Sequence, residues 1–561
     1  MKKICILLLY FIIFQTGCSI LDYDERDSLD EDLVFTGIYS QRNFLYGIYG
    51  NILRVDNYID GAMLDCATDD AEFINDFSSI QRFNTGNVTV SYNPEDQWEY
   101  LYTGVRKCNT FLEKATIDKL DEYKNNMSRE KDGDQYYPEL VQALEYQRTE
   151  ARFLRAYFYF ELVKRYGGVP LVNDGNIDID AGNYEVERNS MDECIAFIVS
   201  ELNEVIPLLP VVHDMSFGLQ GQTGRATRGT AMALKSRTLL YAASPLFNSS
   251  NNSNLWTEAA KAAHAVIVSG NYALENDYAD LFLRDNSREL IFERKAGDSN
   301  SFERANYPIG YDGGNTGVCP SQNLVDAYEM QGSGLSIDDP ASGYDATNPY
   351  DGRDPRFYAT LLHNNSDWAG RKVETWEGGL DAPPIQNATK TGYYLKKYMN
   401  PAVRIGGGQN ITQRHTLYIL RLGEMYLNFA EAMNEAYGPE ADPEGLGMTA
   451  LEAVNRIRER ANMPGFGAGM SQEAFRNRLR NERRVELAFE NHRFWDVRRW
   501  KTGRETLGSD VRGVRIEKLN DSQFSYTPKI VEKRSFEEKM NLYPIPYSEV
   551  IKANLNQNPG W

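Results

Sequence analysis

The sequence predicts a mostly α-helical protein, a tetratricopeptide-like scaffold of helical hairpins with a packed loop-rich region that contains short strands. Several stretches place apolar residues at helical spacing, and Gly or Pro ends most of them. Short loops join these stretches in pairs, as in helical-repeat proteins, although the tetratricopeptide consensus itself is not legible. Residues 297–415 differ, because they are rich in Gly, Asp, Asn and Pro.

About four helix pairs account for the scaffold. In the second pair, Leu144, Leu154 and Phe158 share one helical face. The run GGVP at 167–170 then ends this helix, since Gly caps it and Pro cannot continue it. The predicted pairs are 41–55 with 97–115, 143–166 with 190–206, 228–243 with 256–269, and 418–435 with 448–462.

Residues 297–415 form the predicted loop-rich region. Aromatic side chains such as Tyr344 and Tyr350 are scattered through it, which argues against disorder. Long irregular segments inside compact proteins are commonly functional, so we expect ligand contacts here. Residues 288–294 (RELIFER) predict a short strand beside this region.

The N-terminus predicts export. Lys2 and Lys3 precede residues 4–14, which are eleven consecutive apolar residues. This length matches the apolar core of a signal peptide and falls short of the roughly 20 residues that span a bilayer. We therefore expect residues 1–17 to be a signal peptide.

Cys18 stands at the predicted cleavage site, directly after the small residues Thr16 and Gly17. In bacteria this arrangement resembles a lipobox, in which the cysteine is lipidated and becomes the new N-terminus. Gln15 departs from that pattern, which usually has Leu or a similar residue there. Lipidation of Cys18 is the preferred interpretation, and ordinary secretion with an incidental cysteine is the alternative.

The chain is acidic. Residues 22–32 hold seven acids and one Arg, so residues 18–40 are predicted to form a lipidated, acidic and solvated tether. The formal net charge is −20, and the loss of two lysines with the signal peptide makes it −22. Binding to nucleic acid rests on a positive surface, so this charge argues against it. Residues 41–561 are expected to form the domain that follows the tether.

The cysteine pattern argues against a zinc site. Four cysteines remain after Cys5 and Cys18; they are widely spaced, no pair has CxxC spacing, and the chain has five His residues. An oxidising exterior permits disulfides, while buried free thiols are the alternative, and both stay open. The four residues are Cys66, Cys108, Cys194 and Cys319.

Two acidic motifs favour structural interpretations. Residues 176–187 resemble a calcium loop, but Ala181 stands where the sharp turn needs Gly, which favours a polar linker. Glu482, Glu486 and Glu490 lie at helical spacing, yet arginines are interleaved with them, which predicts a partly buried ion network rather than a catalytic acid pair. We expect no metal and no cofactor.

Six motifs follow one another from near residue 40 to Trp561. They are WEYLYTGVRKCNTFLEKA (98–115), TEARFLRAYFYFELVKRYGGVPLV (149–172), PYDGRDPRF (349–357), LRLGEMYLNFAEAMNE (420–435), NERRVELAFENHRFWDVRRWK (481–501) and LYPIPYSEVIKANLNQNPGW (542–561). Each motif alone is modest, and their joint order is specific. In this order the chain resembles the SusD/RagB family of Bacteroidetes outer-membrane nutrient-binding lipoproteins.

The resemblance implies a scaffold of four helix pairs with the loop-rich remainder packed on it. It also implies a protein without catalytic activity, anchored by lipid at the cell outer membrane and exposed at the surface. Family members cap a SusC-like TonB-dependent transporter and capture a glycan or, in some cases, peptides. The acids after Cys18 resemble the surface-export signal of Bacteroidetes lipoproteins.

Aromatic residues in polar loops are the candidates for ligand contact. Trp368 and Trp376 lie in a polar stretch where burying a large ring is harder, and an aromatic ring offers a flat apolar face to the C–H groups of a sugar. Residues 65–79 lie where family members often place ligand residues. Core packing or transporter contact is the alternative for all candidates. The candidates are Trp368, Trp376, Tyr311, Asp312, Phe73, Asn75 and Phe77.

The preferred hypothesis is a lipoprotein that captures an oligosaccharide and delivers it to a SusC-like transporter. A first alternative keeps this fold and binds a peptide, as in RagB, since the negative charge would suit cationic peptides. A glycoside hydrolase is a further alternative, which would need an acid pair in the loop region. A scaffold that clamps its partner without a ligand of its own is the last.

Overall fold

The protein was analysed as a computed structural model. It forms two compact units, one of Ile48–Asn109 with Thr149–Trp561 and one of the residues up to Gly47 with Thr110–Arg148. The predicted signal peptide, Cys18 and the calcium-like stretch up to residue 185 lie outside the described residues. In the described ranges no helix is both long and apolar enough to cross a membrane. The structure describes residues 34–35, 37–56, 58–120, 133–172, 186–213, 224–284 and 286–561.

The fold is mostly helical, and the eight predicted helices are all present. Two further helices, α9 (Gln472–Glu486) and α10 (Arg493–Arg499), follow the last predicted pair. The eight are α1 (Ile38–Tyr49), α2 (Trp98–Lys114), α3 (Gly133–Tyr166), α4 (Met191–Val205), α5 (Arg228–Ala243), α6 (Ser253–Ile267), α7 (Leu422–Tyr437) and α8 (Ala450–Arg460). Shorter helices span Gln81–Asn84, Tyr278–Leu281, Ser301–Asn306, Gln322–Ala327, Pro355–Thr360, Gly503–Thr506 and Tyr547–Ala553, with 3₁₀ turns at Leu64–Ala67 and Glu538–Asn541.

Side-chain caps set where several helices begin. Ser190 and Glu193 form a capping box at the start of α4, and Thr449 and Glu452 form one at the start of α8. Each box satisfies backbone N–H groups that the first helical turn leaves without partners. The prediction that α7 begins at residue 418 is wrong, because 418–421 belong to a strand and the helix begins at Leu422.

The helices from α5 to α9 share one apolar core in the larger unit. Helix α6 packs against both α5 and α7, and α7 also contacts α8 and α9. Trp256, Phe429 and Phe475 are buried in this core, as is Ile457. Removal of apolar area of this kind from water is the main favourable term in folding, at about 25 cal/mol per Å².

Within the described ranges, five antiparallel strand pairs accompany the helices. The predicted strand at 288–294 is confirmed from residue 290 onward as part of β2 (Leu290–Ser299), which pairs with β8 (Gln413–Arg421) just before α7. The hairpin of β9 (Val511–Lys518) and β10 (Phe524–Glu532) was not predicted from the sequence. The pairs are β1 (Ala71–Phe73) with β3 (Val318–Pro320), β2 (Leu290–Ser299) with β8 (Gln413–Arg421), β4 (Leu361–Leu362) with β7 (Tyr394–Leu395), β5 (Asp367–Trp368) with β6 (Arg371–Lys372), and β9 (Val511–Lys518) with β10 (Phe524–Glu532).

A buried ion network ties the loop-rich region to the last helices. The carboxylate of Glu486 is fully buried; it lies 2.9 Å from Arg356 and 2.8 Å from Arg421, and it also pairs with Arg460. Burial opposes its ionisation, but the three guanidinium groups outweigh burial and hold the pKa of Glu486 well below its usual value. The predicted network is therefore confirmed.

The four cysteines are buried free thiols in the structure. Each has an exposed fraction of 0%, and none forms a disulfide. Burial raises the pKa of the Cys194 and Cys319 thiols to about 11, so both stay protonated at neutral pH. Of the two alternatives that the sequence left open, the structure has the free thiols.

Candidate functional site

The candidate site is an open groove in the larger unit with a volume of about 570 Å³. This volume lies within the usual range of ligand sites, about 300–1,000 Å³. Two aromatic rings, Phe77 and Tyr92, line it together with Asp60, Arg82 and Asn87. Its walls are formed by the loop after β1, the helix Gln81–Asn84 and the turn that follows this helix.

Two other cavities fit a ligand less well. One, beside Lys164 and His492, has a volume of about 50 Å³, which suits a water or two rather than a sugar. The other lies along α7 and α8 and has about 500 Å³, but Tyr426 is the aromatic residue of its lining, and this ring is half-buried. The first groove therefore offers the better binding surface.

The loop after β1 holds Phe77 out into solvent. The Asn75 side-chain oxygen accepts a hydrogen bond from the Phe77 amide at 3.0 Å, which closes a tight local turn. Lys390 donates to the Phe73 carbonyl at 2.7 Å and pairs with Asp76. With its loop fixed at both points, the Phe77 ring is 96% exposed.

Tyr92 and Arg82 form the second part of the lining. The amide of Thr89 donates to the Tyr92 carbonyl at 3.0 Å, and the amide of Tyr92 donates back at 3.2 Å. This turn leaves the Tyr92 ring 46% exposed. The guanidinium carbon of Arg82 lies 4.4 Å from the centre of that ring, in a cation–π contact.

Polar groups complete the groove. Asp60 accepts a hydrogen bond from the amide of Ser79 at 3.1 Å, and Asn87 donates to the hydroxyl of Thr85 at 2.9 Å. Apolar ring faces beside carboxylate, amide and hydroxyl groups suit a ligand that has both apolar C–H faces and hydroxyl groups. Such a site binds by stacking and hydrogen bonding.

Two neighbouring carboxyl groups, those of the buried Glu72 and the half-buried Glu532, lie next to the groove. Gln81, which lines the groove, donates to Glu72 at 2.7 Å, and Arg534 lies 2.7 Å from both Glu72 and Glu532. Burial, together with the hydrogen bond to Glu72, raises the pKa of Glu532 to about 7. Arg534 outweighs burial and lowers the pKa of Glu72, so it is Glu532 that is partly protonated near neutral pH.

Trp368 differs from the expectation that its polar loop leaves the ring exposed. The ring is 5% exposed and packs edge-on against Tyr307, with 5.8 Å between ring centres. Tyr311 donates from its hydroxyl to the Trp368 carbonyl at 3.0 Å, and the Arg371 guanidinium stacks 3.7 Å from the Tyr311 ring centre. Polar neighbours thus surround a buried aromatic cluster, which lies outside the groove.

The remaining candidates are divided between surface and interior. Trp376 is half-buried, with the Lys518 ammonium 5.2 Å from its ring centre, and Asp312 is exposed. Phe73 is buried in β1, so its backbone rather than its ring supports the loop. Of the seven candidates, Phe77 lines the groove and Asn75 fixes its position.

Sequence reasoning missed Asp60, Arg82, Asn87 and Tyr92. A possible signal was the polar run NTGNVTVSYN at 84–93, which places one Tyr among turn-forming and hydroxyl residues. It has no fixed spacing of the kind that identifies catalytic or metal-binding motifs.

Comparison with known proteins identifies the family. Residues 288–561 match the family model described as SusD family, and residues 38–240 match the model described as starch-binding associating with outer membrane. The chain therefore belongs to the SusD family, as its motifs suggested.

Relatives are similar along most of their length. The starch-binding protein SusD of Bacteroides thetaiotaomicron is 24% identical over 74% of this chain and 73% of that protein. The SusD-like protein P25 of Formosa agariphila is 23% identical, covering 92% of this chain and 88% of that protein. A solved SusD-like protein from Bacteroides fragilis is 29% identical, covers 94% of this chain and 98% of its own, and has a TM-score of 0.76.

Proposed function

We propose that this chain is a cell-surface glycan-binding lipoprotein that captures an oligosaccharide and delivers it to a SusC-like TonB-dependent outer-membrane transporter. Membership of the SusD family supports the class, and similar proteins include a starch-binding protein and a SusD-like carbohydrate-binding protein. The N-terminal sequence that ends at Cys18 supports lipid anchoring at the outer membrane.

The 96% exposed ring of Phe77 in a 570 Å³ groove carries the proposal. A large apolar ring held almost wholly in water has no role in packing within this chain, and exposed aromatic rings are typical of binding surfaces. Asp60 is the one acid among the residues that line the groove in the described part of the chain. A glycoside hydrolase would need a second carboxyl group across the sugar.

Weak binding suits capture followed by release. A Kd between about 1 µM and 1 mM corresponds to roughly −8 to −4 kcal/mol. Stacking on Phe77 and Tyr92 with a few hydrogen bonds from polar side chains would supply a free energy of this size.

Calorimetry on the full chain in detergent, against a panel of polysaccharides, host-type glycans and peptides, tests the proposal. Phe77→Ala and Tyr92→Ala should each weaken glycan binding by about tenfold, as expected for central aromatic contacts. Tyr39→Ala is the matched control, since Tyr39 is 52% exposed and does not line the groove. Binding of peptides without glycans would instead support the RagB-like alternative.

A further inference from the structure

Arg82 gives the groove a possible preference among ligands, which rests on the proposed glycan-binding function of the groove. Arg82 is exposed and lies in the groove lining beside Tyr92. Its guanidinium carbon is 4.4 Å from the centre of the Tyr92 ring, so the flat face of the cation is supported by an aromatic platform. A guanidinium stacked in this way is pre-ordered, and it loses less conformational freedom when it binds a ligand.

Most N–H donors of the Arg82 guanidinium make no hydrogen bond within the described residues. A guanidinium carries five N–H donors. Arg82 uses one nitrogen to donate to the Asn87 carbonyl at 3.3 Å, which orients the group across the turn. Throughout the ranges that the structure describes, Arg82 makes no ion pair. Arg82 thus lines the groove with donors that the acid of that lining, Asp60, does not pair with.

Three other arginines on the surface of this chain pair with acids. Arg512 pairs with Asp326 at 2.8 Å, Arg515 with Glu377 at 2.7 Å, and Arg284 with Asp280. In a chain with a formal net charge of −20, acids are abundant on the surface. Arg82 differs from these three, because it lines the groove without an acidic partner, so an external anion would be favoured beside it.

Asp60 adds a negatively charged group to the groove lining. One of its carboxylate oxygens accepts the Ser79 amide, and no ion pair joins Asp60 to Arg82. A separate acid can accept hydrogen bonds from ligand hydroxyls, while Arg82 binds an anionic group. A ligand that matches this lining would have hydroxyls for Asp60, apolar C–H faces for the aromatic rings and an anionic substituent for Arg82.

We propose that the groove selects an acidic glycan, whose carboxylate or sulfate group binds Arg82 while a sugar ring stacks on Phe77. The planar guanidinium can donate two parallel hydrogen bonds to either anion, which a neutral sugar cannot accept with the same strength. Arg82 thus acts as the specificity-determining residue. The aromatic rings contribute binding free energy to charged and neutral glycans alike.

The experiment compares matched ligands that differ in charge. Calorimetry on the full chain in detergent would use an oligogalacturonide beside its carboxyl-reduced form, and a sulfated galactan beside its desulfated form. The two arms distinguish a carboxylate from a sulfate. The wild type should bind one anionic member about tenfold more tightly than its neutral counterpart. Added salt should weaken this preference, because the contact is between charges.

Variants test the role of Arg82 itself. Arg82→Gln should remove most of the preference for the anionic ligand, and Arg82→Lys should restore part of it, since charge returns without the bidentate geometry. Arg284→Gln is the matched control: it removes the same charge from an exposed site that does not line the groove. It should leave the preference intact.

Two results would overturn the inference. If charged and neutral members of both pairs bind equally, or if Arg82→Gln weakens them to the same extent, Arg82 does not select an anion. In either case, loss of binding in Phe77→Ala would still support a glycan site. If no glycan binds and Phe77→Ala changes nothing, the proposed function fails, and the inference fails with it.

Discussion

The amide of Phe77 donates a hydrogen bond of 3.0 Å to the side-chain oxygen of Asn75, two residues earlier in the same loop. A polar residue thus fixes the backbone from which the most exposed aromatic ring of the groove projects. This arrangement separates two roles that the sequence could not distinguish. Asn75 positions the loop, and Phe77 offers the binding surface.

Loss of the Asn75 acceptor should weaken binding without unfolding the protein. In Asn75→Ala the loop still carries Phe77, but the ring must become ordered on binding. This costs about 0.5–1.5 kcal/mol, or about 2- to 12-fold in Kd. Asn75→Asp keeps the acceptor oxygen and should retain more of the affinity. Calorimetry gives the Kd and thermal unfolding gives the Tm. An unchanged Kd for Asn75→Ala would show that the turn does not pre-order Phe77.

The buried Asp65 should make the folded protein less stable as the pH rises. Burial, with a smaller contribution from Asp70, raises the pKa of Asp65 to about 7. Since this is above its unfolded value, the folded state holds a proton that the unfolded state has lost between about pH 4 and pH 7. Stability from this group is therefore lost as the pH rises through that window.

Asp65→Asn should remove this penalty. Relative to the wild type, the free energy of unfolding of the variant should rise by about 2–3 kcal/mol between about pH 5 and about pH 8. Urea unfolding at the two pH values measures the change. Asp338→Asn, at an exposed position, should show no such trend. If the free energy of unfolding of Asp65→Asn does not rise relative to the wild type between these pH values, the pKa of Asp65 is not raised in the folded state.

The helices could be predicted from sequence because their determinants are local. Caps such as Ser190 with Glu193, and Gly or Pro after the last turn, act within a few residues. The start of α7 was misplaced since pairing with β2, more than a hundred residues earlier, decides that 418–421 form a strand. No local pattern reports such a partner.

The site was harder to predict because exposure is a tertiary property. Trp368 is surrounded in sequence by polar residues, yet Tyr307 buries its ring from another part of the chain. Phe77 was identified through the family resemblance, since family members often place ligand residues in the loop at 65–79, rather than through its own neighbours. Arg82 and Tyr92 became visible as binding groups after the fold had placed them in one groove.

Glu486 should be a critical residue for stability. Its carboxylate is buried among Arg356, Arg421 and Arg460, so Glu486→Gln leaves three buried cations with one fewer counter-charge. We expect a loss of about 3–5 kcal/mol in the free energy of unfolding. Glu459→Gln is the control, because its exposed ion pair with Arg456 at 3.7 Å should contribute less than about 1 kcal/mol. Equal effects in urea unfolding would contradict a structural role for the buried network.

Cys18 should anchor the protein to the membrane. Lipid chains contribute about 0.8 kcal/mol per buried CH₂, and more than one chain is needed for stable anchoring. Cys18→Ala should therefore move the protein from the membrane pellet to the soluble fraction after a high-salt wash, which removes proteins held by ionic contacts. Cys5→Ala lies within the predicted signal peptide and should leave fractionation unchanged. Metabolic labelling with a fatty acid provides the direct measurement, since labelling of the wild type but not of Cys18→Ala assigns the lipid to this residue. A wild type that takes no label would contradict lipidation, even if it stays in the pellet through a transporter partner.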